Sequence, residues 1–209
     1  MRKKSHISLA RYMVENLGDE ELKHHKFSFY LGSILPDIKP SFLYKRHEMS
    51  GTFPSISRHI KRLSEGQKVI EKAGRKYYMD LGQISHYLAD YFTFPHNTIY
   101  PGSLKDHCTY EEKLKNDLRA YLKSGEAKRY HGRKLAAEWT PPKNGAREEG
   151  FGDADAICSY IKAAHAQYLE QKHNVKDDIE HIVEINHKAL RAMISLLAQR
   201  RSEWQLSQS

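Results

Sequence analysis

The sequence has few cysteines and lacks both long apolar runs and convincing strand patterns. Its 209 residues include only two cysteines, Cys108 and Cys158, which excludes a disulfide framework and a cysteine-rich zinc site. No stretch of eighteen apolar residues occurs, so the sequence predicts no transmembrane helix. The amino terminus is basic and then amphipathic, unlike a signal peptide. We therefore expect a cytoplasmic protein, in which any metal is held by histidine and carboxylate.

Positive charge is in excess, with 34 lysines and arginines against 26 aspartates and glutamates. A surface with a net charge of +8 attracts polyanions such as nucleic acid or anionic lipid headgroups. The basic residues are nevertheless scattered along the chain, as on an ordinary solvated surface. Charge alone therefore does not identify a partner.

Apolar residues recur at helical spacing along the chain, which predicts an all-α fold. The length favours a single domain over residues 1–209, a bundle of about seven helices. We expect Ser5 to cap the first helix, Gly18 to end it, and residues 124–150 to form a long loop. The later helices are expected at residues 19–36, from Pro54 onwards, at about 72–92, 106–122, from Asp153, and at about 175–201.

The apolar segment HYLADYFTFPH, residues 86–96, contains two of the thirteen histidines. His86 and Asp90 are four residues apart, so on a helix both side chains lie on one face, one turn apart. This spacing suits the chelation of one metal ion from a rigid element. His96 follows in a loop whose direction Pro95 constrains. A buried histidine beside a buried aspartate would be costly without a partner or a metal.

The next predicted helix repeats this spacing. In HCTYE, His107 and Glu111 are again four residues apart, so two consecutive helices each offer a histidine and a carboxylate on one face. One such pair is common on helix surfaces, but two in succession are rarely accidental. The sequence therefore predicts a metal centre between these helices.

These segments resemble the core of the zinc-dependent phospholipase C family and of the related single-strand-specific zinc nucleases. That core is a His-x3-Asp-x5-His run followed by a His-x3-Glu or His-x3-Asp pair. The segment SHISLARY resembles the family's first-helix histidine, here His6, and GSILPD resembles the segment with its early aspartate, here Asp37. The resemblance covers residues 6 to 111 in the family's order, and beyond them only helical character matches.

The resemblance implies two or three zinc ions at the centre of the helical bundle. The first zinc would be held by His86, Asp90 and a histidine that follows Asp37. The ligands of the second zinc would be His96, His107 and Glu111. Asp37 would either bind zinc or act as the general base that positions the attacking water.

A third zinc in the family uses the amino terminus of the chain, the first-helix histidine and a bridging aspartate. The family's mature terminus is normally a tryptophan, which is replaced here by Met1. The resemblance therefore implies Met1, His6 and Asp90 as the ligands of a third zinc, with Met1 contributing its amino nitrogen.

Two histidines after Asp37 compete as ligands of the first zinc. His47, in KRHEMSGTF, lies in a predicted loop at a separation from Asp37 similar to that in the family. His59, in SISRHIKRL, lies in an amphipathic helix rich in arginine and lysine, which favours a solvent-facing position. We favour His47 and retain His59 as the alternative. Most of the remaining histidines, a group that includes His165 and His187, are expected on the surface.

The resemblance implies a zinc-dependent phosphodiester hydrolase, of phospholipase C type, in which a zinc-bound hydroxide attacks phosphorus. Because the same centre serves related chemistries, a zinc nuclease or nucleotide phosphodiesterase is the alternative enzyme. A non-catalytic zinc-binding scaffold protein is the alternative outside the enzymes. The expected partner is a phospholipid headgroup or another phosphodiester, with peripheral contact to an anionic membrane, and nucleic acid is the less favoured substrate.

Overall fold

The computed structural model describes residues 1–38, 48–129 and 151–208. These ranges are helical and contain no strand, which confirms the all-α prediction. The helices include α1 (Lys3–Asn16), α2 (Glu20–His24), α3 (Lys26–Ile34), α4 (Met49–Glu65), α5 (Gln67–Glu71), α6 (Arg75–Tyr91), α7 (Leu104–Lys123), α8 (Ala154–Leu169) and α9 (Val175–Gln208). Short 3-10 helices cover Leu35–Asp37 and Phe94–His96. Seven of the α-helices have at least nine residues, as the predicted bundle requires.

Two predictions fall outside the described ranges. These are the position of His47 and residues 130–150 of the loop expected at residues 124–150. Within the described ranges, residues 126–129 are helical, so this part of the loop prediction was wrong. Within the described ranges, none of the helices combines the length and the apolar character that crossing a membrane requires.

The start of α1 differs from the sequence-based prediction, whereas its end agrees. Gly18 ends the segment with a positive φ of 73°, the left-handed conformation that glycine adopts readily. The helix begins at Lys3 with Arg2 as its N-cap, so Ser5 lies buried inside α1 and does not cap it. Ser5 was the wrong cap because the helix extends further towards the amino terminus, up to the residue next to Met1.

Other helix boundaries also need correction. The helix expected from residue 19 to residue 36 is divided at His25 into α2 and α3. α4 begins at Met49 and includes Pro54 in its interior. Ser103, not Asp106, is the N-cap of α7, and the two side chains form a reciprocal capping box that satisfies two backbone N–H groups.

α6 is the central helix of the fold. Twelve of its 17 residues are buried, so it is covered on nearly every side. α3, α4 and α9 pack against it, while α1 packs against α3 and α7. The buried apolar side chains of the described helices form one continuous core. His86 and Asp90 therefore lie among core residues, in an environment that excludes water.

Two glycines allow α3 and α6 to cross at unusually short distance. A Cβ atom on Gly32 would overlap the backbone carbonyl of Met79, and one on Gly82 would overlap that of Phe29. Only glycine fits at such a backbone-to-backbone approach. Because the helices are this close, the carbonyl oxygen of Ser33 on α3 lies 2.9 Å from a ring nitrogen on α6.

Two of the remaining histidines are exceptions to the expectation that most of them lie on the surface. His165 and His187 are buried, with exposed fractions of 8% and 7%. The Nε2 atom of His165 lies 2.9 Å from Asn97 Oδ1, a hydrogen bond that offsets the cost of burying its imidazole.

Candidate metal centre

His6, His86 and Asp90 form a buried triad in the centre of the fold. Their potential ligand atoms lie within 4.8 Å of one another. The His6 ring from α1 stacks on the His86 ring from α6, with centroids 3.8 Å apart. The Asp90 carboxylate, one turn further along α6, lies 3.4 Å from His6 Nε2 and 3.1 Å from His86 Nε2. The four-residue spacing therefore places both α6 side chains at one point, as predicted.

A backbone carbonyl orients the His86 ring. The Nδ1 atom lies 2.9 Å from the Ser33 carbonyl oxygen, which can only accept a hydrogen bond, so Nδ1 carries the proton. Nε2, the nitrogen left to bind a metal, faces the carboxylates of Asp90 and Asp37. Asp37 ends a 3-10 helix and places its Oδ1 atom 3.6 Å from this nitrogen. Such support of a histidine ring is common at metal sites.

A second, more open triad consists of His96, His107 and Glu111. Its potential ligand atoms also lie within 4.8 Å of one another. His96, in the 3-10 helix after α6, has its Nε2 atom 3.0 Å from Glu111 Oε1. His107, one turn before Glu111 on α7, has its Nε2 atom 3.2 Å from the same oxygen. The second predicted histidine and carboxylate pair is thus also brought together.

The amino group of Met1 connects the two triads. Its nitrogen lies 2.6 Å from Asp90 Oδ1, 2.8 Å from His96 Nε2 and 3.1 Å from Glu111 Oε1. Eight of the nine predicted ligands therefore lie in one continuous centre, and the ninth, His47, is outside the described residues.

His59, the alternative to His47, lies elsewhere. It is half-buried on α4, and burial together with the nearby Arg62 lowers the pKa of its ring. Its other charged neighbours are Arg58, Lys76 and Asp80. None of these residues belongs to either triad.

The side chains of His6, Asp90 and Glu111 are in the protonation states that bind a metal. Burial, with the neighbouring His86, lowers the pKa of His6 to about 3, so its imidazole is neutral. Burial opposes the charge of Asp90, but the Met1 ammonium holds the pKa of this carboxyl well below its ordinary range. Burial also opposes the charge of Glu111, yet hydrogen bonds from His107 and His96 lower its pKa. Neutral imidazoles and ionised carboxylates are the forms that coordinate metal ions.

Two observations show that the residues fit zinc. Both ring nitrogens of His6 are buried without a hydrogen-bond partner among the described residues, an expensive arrangement that a bound cation would relieve. A positive charge, the Met1 ammonium, already lies between the carboxylates of Asp90 and Glu111. Imidazole nitrogens with a few carboxylate oxygens form a typical zinc ligand set.

The exposed fractions of the side chains show where the centre opens. They are 29% for His107, 15% for Glu111, 14% for His96 and 10% for Asp37. The amino-terminal group and the side chains of the inner residues are at most 1% exposed, namely Met1, His6, His86 and Asp90. Among the described ligands, the centre is therefore most exposed to solvent at His107.

Sequence reasoning missed Asp178, a buried residue of α9. Its carboxylate accepts hydrogen bonds from the backbone N–H of Phe94 at 2.8 Å, the Tyr110 hydroxyl at 2.8 Å and the Tyr168 hydroxyl at 2.7 Å. It thereby ties the 3-10 helix that carries His96 to the turn of α7 that carries Glu111. The only signal in the sequence is an aspartate beside the apolar positions of α9.

Comparison with known proteins agrees with this geometry. No curated protein and no solved structure matches the chain significantly. A family model for zinc-dependent phospholipase C matches residues 5–175, which is most of the chain and includes every candidate ligand except Met1. The chain therefore belongs to the zinc-dependent phospholipase C family.

Proposed function

We propose that the chain is a zinc-dependent phosphodiester hydrolase of phospholipase C type that works as a single domain over residues 1–209. The observation that carries the proposal is the pair of histidine and carboxylate triads, joined through Met1. Two triads can hold two ions, and a third ion is supported by the position of the amino terminus.

The ligands would be divided among three zinc ions, two of which share Asp90. His86 and Asp90 would hold the first, with Asp37 beside them and His47 as the further ligand. The second would be held by His96, His107 and Glu111. Met1, His6 and the shared Asp90 carboxylate would hold the third. Because Asp90 Oδ2 faces His86 while Oδ1 faces Met1 and His6, this carboxylate is placed to bridge two ions.

The side chains at the opening would carry the chemistry. Zinc, when bound, supplies Lewis-acid activation of water and neutralises the negative charge of a phosphodiester. Asp37, partly exposed and close to His86, is placed to accept the proton of an attacking water as a general base, or else to complete the metal ligands. The more exposed His107 and Glu111 line the side from which the phosphate group arrives. The buried half of the centre excludes water and fixes the geometry.

Metal analysis combined with hydrolysis assays tests this function. We expect the purified full chain to contain at least one zinc per triad and to hydrolyse a chromogenic phosphodiester, with activity lost on chelation and restored by zinc. Phosphatidylcholine vesicles and single-stranded DNA, offered as competing substrates, separate the phospholipase from the nuclease. Absence of tightly bound transition metal would refute the proposal. Bound zinc without hydrolysis of any of these diesters would indicate a scaffold protein.

A further inference from the structure

The side chain of Arg2 lies against α7, beside the metal centre. Its Nη1 atom donates a hydrogen bond to the Glu112 carboxylate, and its Nη2 atom donates one to the Cys108 carbonyl oxygen, over 3.2 Å. Cys108 and Glu112 are four residues apart on α7, so the guanidinium contacts two successive turns on one face of this helix. Arg2 is therefore attached to α7 at two points.

The ion pair between Arg2 and Glu112 adjoins a contact inside the centre. Arg2 directly follows Met1, and Glu112 directly follows Glu111. Inside the centre, the Met1 amine lies 3.1 Å from Glu111 Oε1. Only about 3.8 Å of chain separates the Cα atoms of consecutive residues, so a displacement of Arg2 from α7 would also displace the amine.

A second cation holds the Glu112 carboxylate in place. Lys115, three residues further on α7, donates a hydrogen bond to Oε1, while Arg2 binds Oε2. Arg2 and Glu112 are 40% and 42% exposed, and an isolated ion pair with this exposure would contribute little. Here the carboxylate is oriented by Lys115 and the guanidinium has a further contact on α7, so the pair belongs to a network with a defined geometry.

The Met1 side chain anchors the amino terminus in a different way. It is 4% exposed and belongs to the apolar core. Burial of apolar surface is non-directional, so it holds Met1 at this depth without aiming its amine. The planar guanidinium of Arg2 donates hydrogen bonds in fixed directions. The direction in which the chain passes from Met1 into α1 therefore depends on the contacts of Arg2 with α7.

We propose that Arg2 and Glu112 position the Met1 amine for zinc, as residues that act through Met1 and do not touch the metal. Chain termini are mobile unless they are tied down. A mobile amine occupies its ligand position for only part of the time, and the apparent affinity for zinc falls by that fraction. The inference rests on the proposed function, because it requires that the amine is a ligand of the third zinc.

Acylation of the Met1 amine by an activated ester tests this positioning. Bound zinc occupies the nitrogen lone pair and protects it from the ester, and mass spectrometry of the amino-terminal peptide distinguishes this amine from the lysines. We expect the zinc concentration that halves the acylation rate to be about fivefold higher in Glu112→Gln than in the wild-type chain. Arg2→Gln should show the same shift, and the double variant should show no further one, because the two side chains act as a pair.

Asp117→Asn is the matched control. Asp117 lies on the same helix, is 47% exposed and forms an ion pair with Lys113, so the variant removes the same charge and a similar contact. It should leave the protection of the amine unchanged, and thermal unfolding of the metal-free chains checks that all variants are folded. An equal shift in Asp117→Asn would show that overall charge attracts zinc, and would overturn the proposal. Additive shifts for Arg2→Gln and Glu112→Gln would overturn it as well.

Competition with a chromogenic chelator separates positioning from a general effect on α7. We expect Glu112→Gln to weaken one zinc site per chain and to leave the site of His107 and Glu111 unchanged. If every site were weakened to the same extent, the ion pair would stabilise α7 as a whole and would not position the amine.

The remaining outcomes separate the positioning of the amine from the catalytic proposal. Zinc protection that depends on Arg2 and Glu112, in a chain that hydrolyses no diester, would support the positioning and contradict the proposed function. Zinc-dependent hydrolysis in a chain whose amine is protected equally well in all variants would retain the function and overturn the positioning. Hydrolysis by a chain whose amine zinc never protects would have the same meaning.

Discussion

The two triads have similar side chains in different surroundings. In the inner triad, His6, His86 and Asp90 are at most 1% exposed and belong to two packed helices. In the outer triad, His107 is 29% exposed, and the three residues are divided between a 3-10 helix and α7. Water can satisfy the outer side chains when no metal is bound, but it cannot reach the inner ones. We therefore expect zinc at the inner triad mainly to stabilise the fold, and zinc at the outer triad mainly to bind the substrate.

The sharpest test of this contrast compares one carboxylate from each triad. Asp90→Asn should remove more than one zinc per chain, since Asp90 contacts Met1, His6 and His86. In the metal-free chain, it should also lower the free energy of unfolding by about 3 to 5 kcal/mol, because the buried Met1 ammonium loses its counter-charge. Glu111→Gln should remove only the zinc of the outer triad. Zinc content and thermal unfolding of both variants provide the measurement, and loss of the same single zinc from each would refute a bridging role for Asp90.

Zinc binding at the inner triad should also depend on the distance between α3 and α6. Gly82→Ala would force the helices apart, because the added Cβ meets the backbone carbonyl of Phe29, which no side-chain rotation can relieve. We expect a loss of about 3 kcal/mol in unfolding free energy and weaker zinc binding at the inner triad only. Gly51→Ala in α4 is the control, since its Cβ would meet nothing within 4 Å. That control should gain up to about 1 kcal/mol from helix propensity.

Asp178→Ala is the corresponding test of the outer triad. The variant removes three hydrogen bonds that hold the segments of His96 and Glu111 together. Burial raises the pKa of Asp178 to about 6, so the cost of burying its charge offsets part of this hydrogen-bond energy. We expect a net loss of about 2 kcal/mol in unfolding free energy.

Zinc titration determines whether Asp178 positions the ligands or only stabilises the fold. In Asp178→Ala, zinc affinity should fall at the outer triad by roughly tenfold and remain unchanged at the inner one. Asp177→Ala, which removes the neighbouring carboxylate, should preserve both affinities. Equal losses of affinity at the two triads would indicate a general structural role.

For both triads, the sequence predicts the pair of ligands on one helix but not the contacts that orient them. Helical periodicity alone places His86 beside Asp90 and His107 beside Glu111, because residues four apart share a face. It does not predict that the Ser33 carbonyl orients His86, or that Asp178 joins the two segments of the outer triad, since these contacts span 53 and up to 84 residues. Such contacts depend on how the helices pack, which local spacing does not determine.

The amino terminus offers a smaller perturbation that acts where the triads meet. A short extension before Met1 would convert the amine into an amide, which cannot carry the positive charge or bind a metal through a nitrogen lone pair. We expect the extended chain to hold one zinc fewer than the chain that begins at Met1 and to lose roughly tenfold in activity. An extension of equal length at the carboxyl terminus is the control. If both extended chains contained as much zinc as the chain without an extension, the amino group would not be a ligand.

The smallest effect is expected at His59, which tests whether the inner triad draws its further ligand from α4. His59 is half-buried near Arg62, Lys76 and Asp80 and contacts neither triad, so His59→Ala should change zinc content and activity by less than about twofold. His47→Ala should instead abolish activity and release zinc, because His47 is the ligand that the family pattern places after Asp37. Zinc content and diester hydrolysis, measured side by side for the two variants, decide between them. If His47→Ala kept its zinc and activity while His59→Ala lost both, His59 and not His47 would be the ligand. α4 would then have to approach the inner triad more closely than its packing near Asp80 allows.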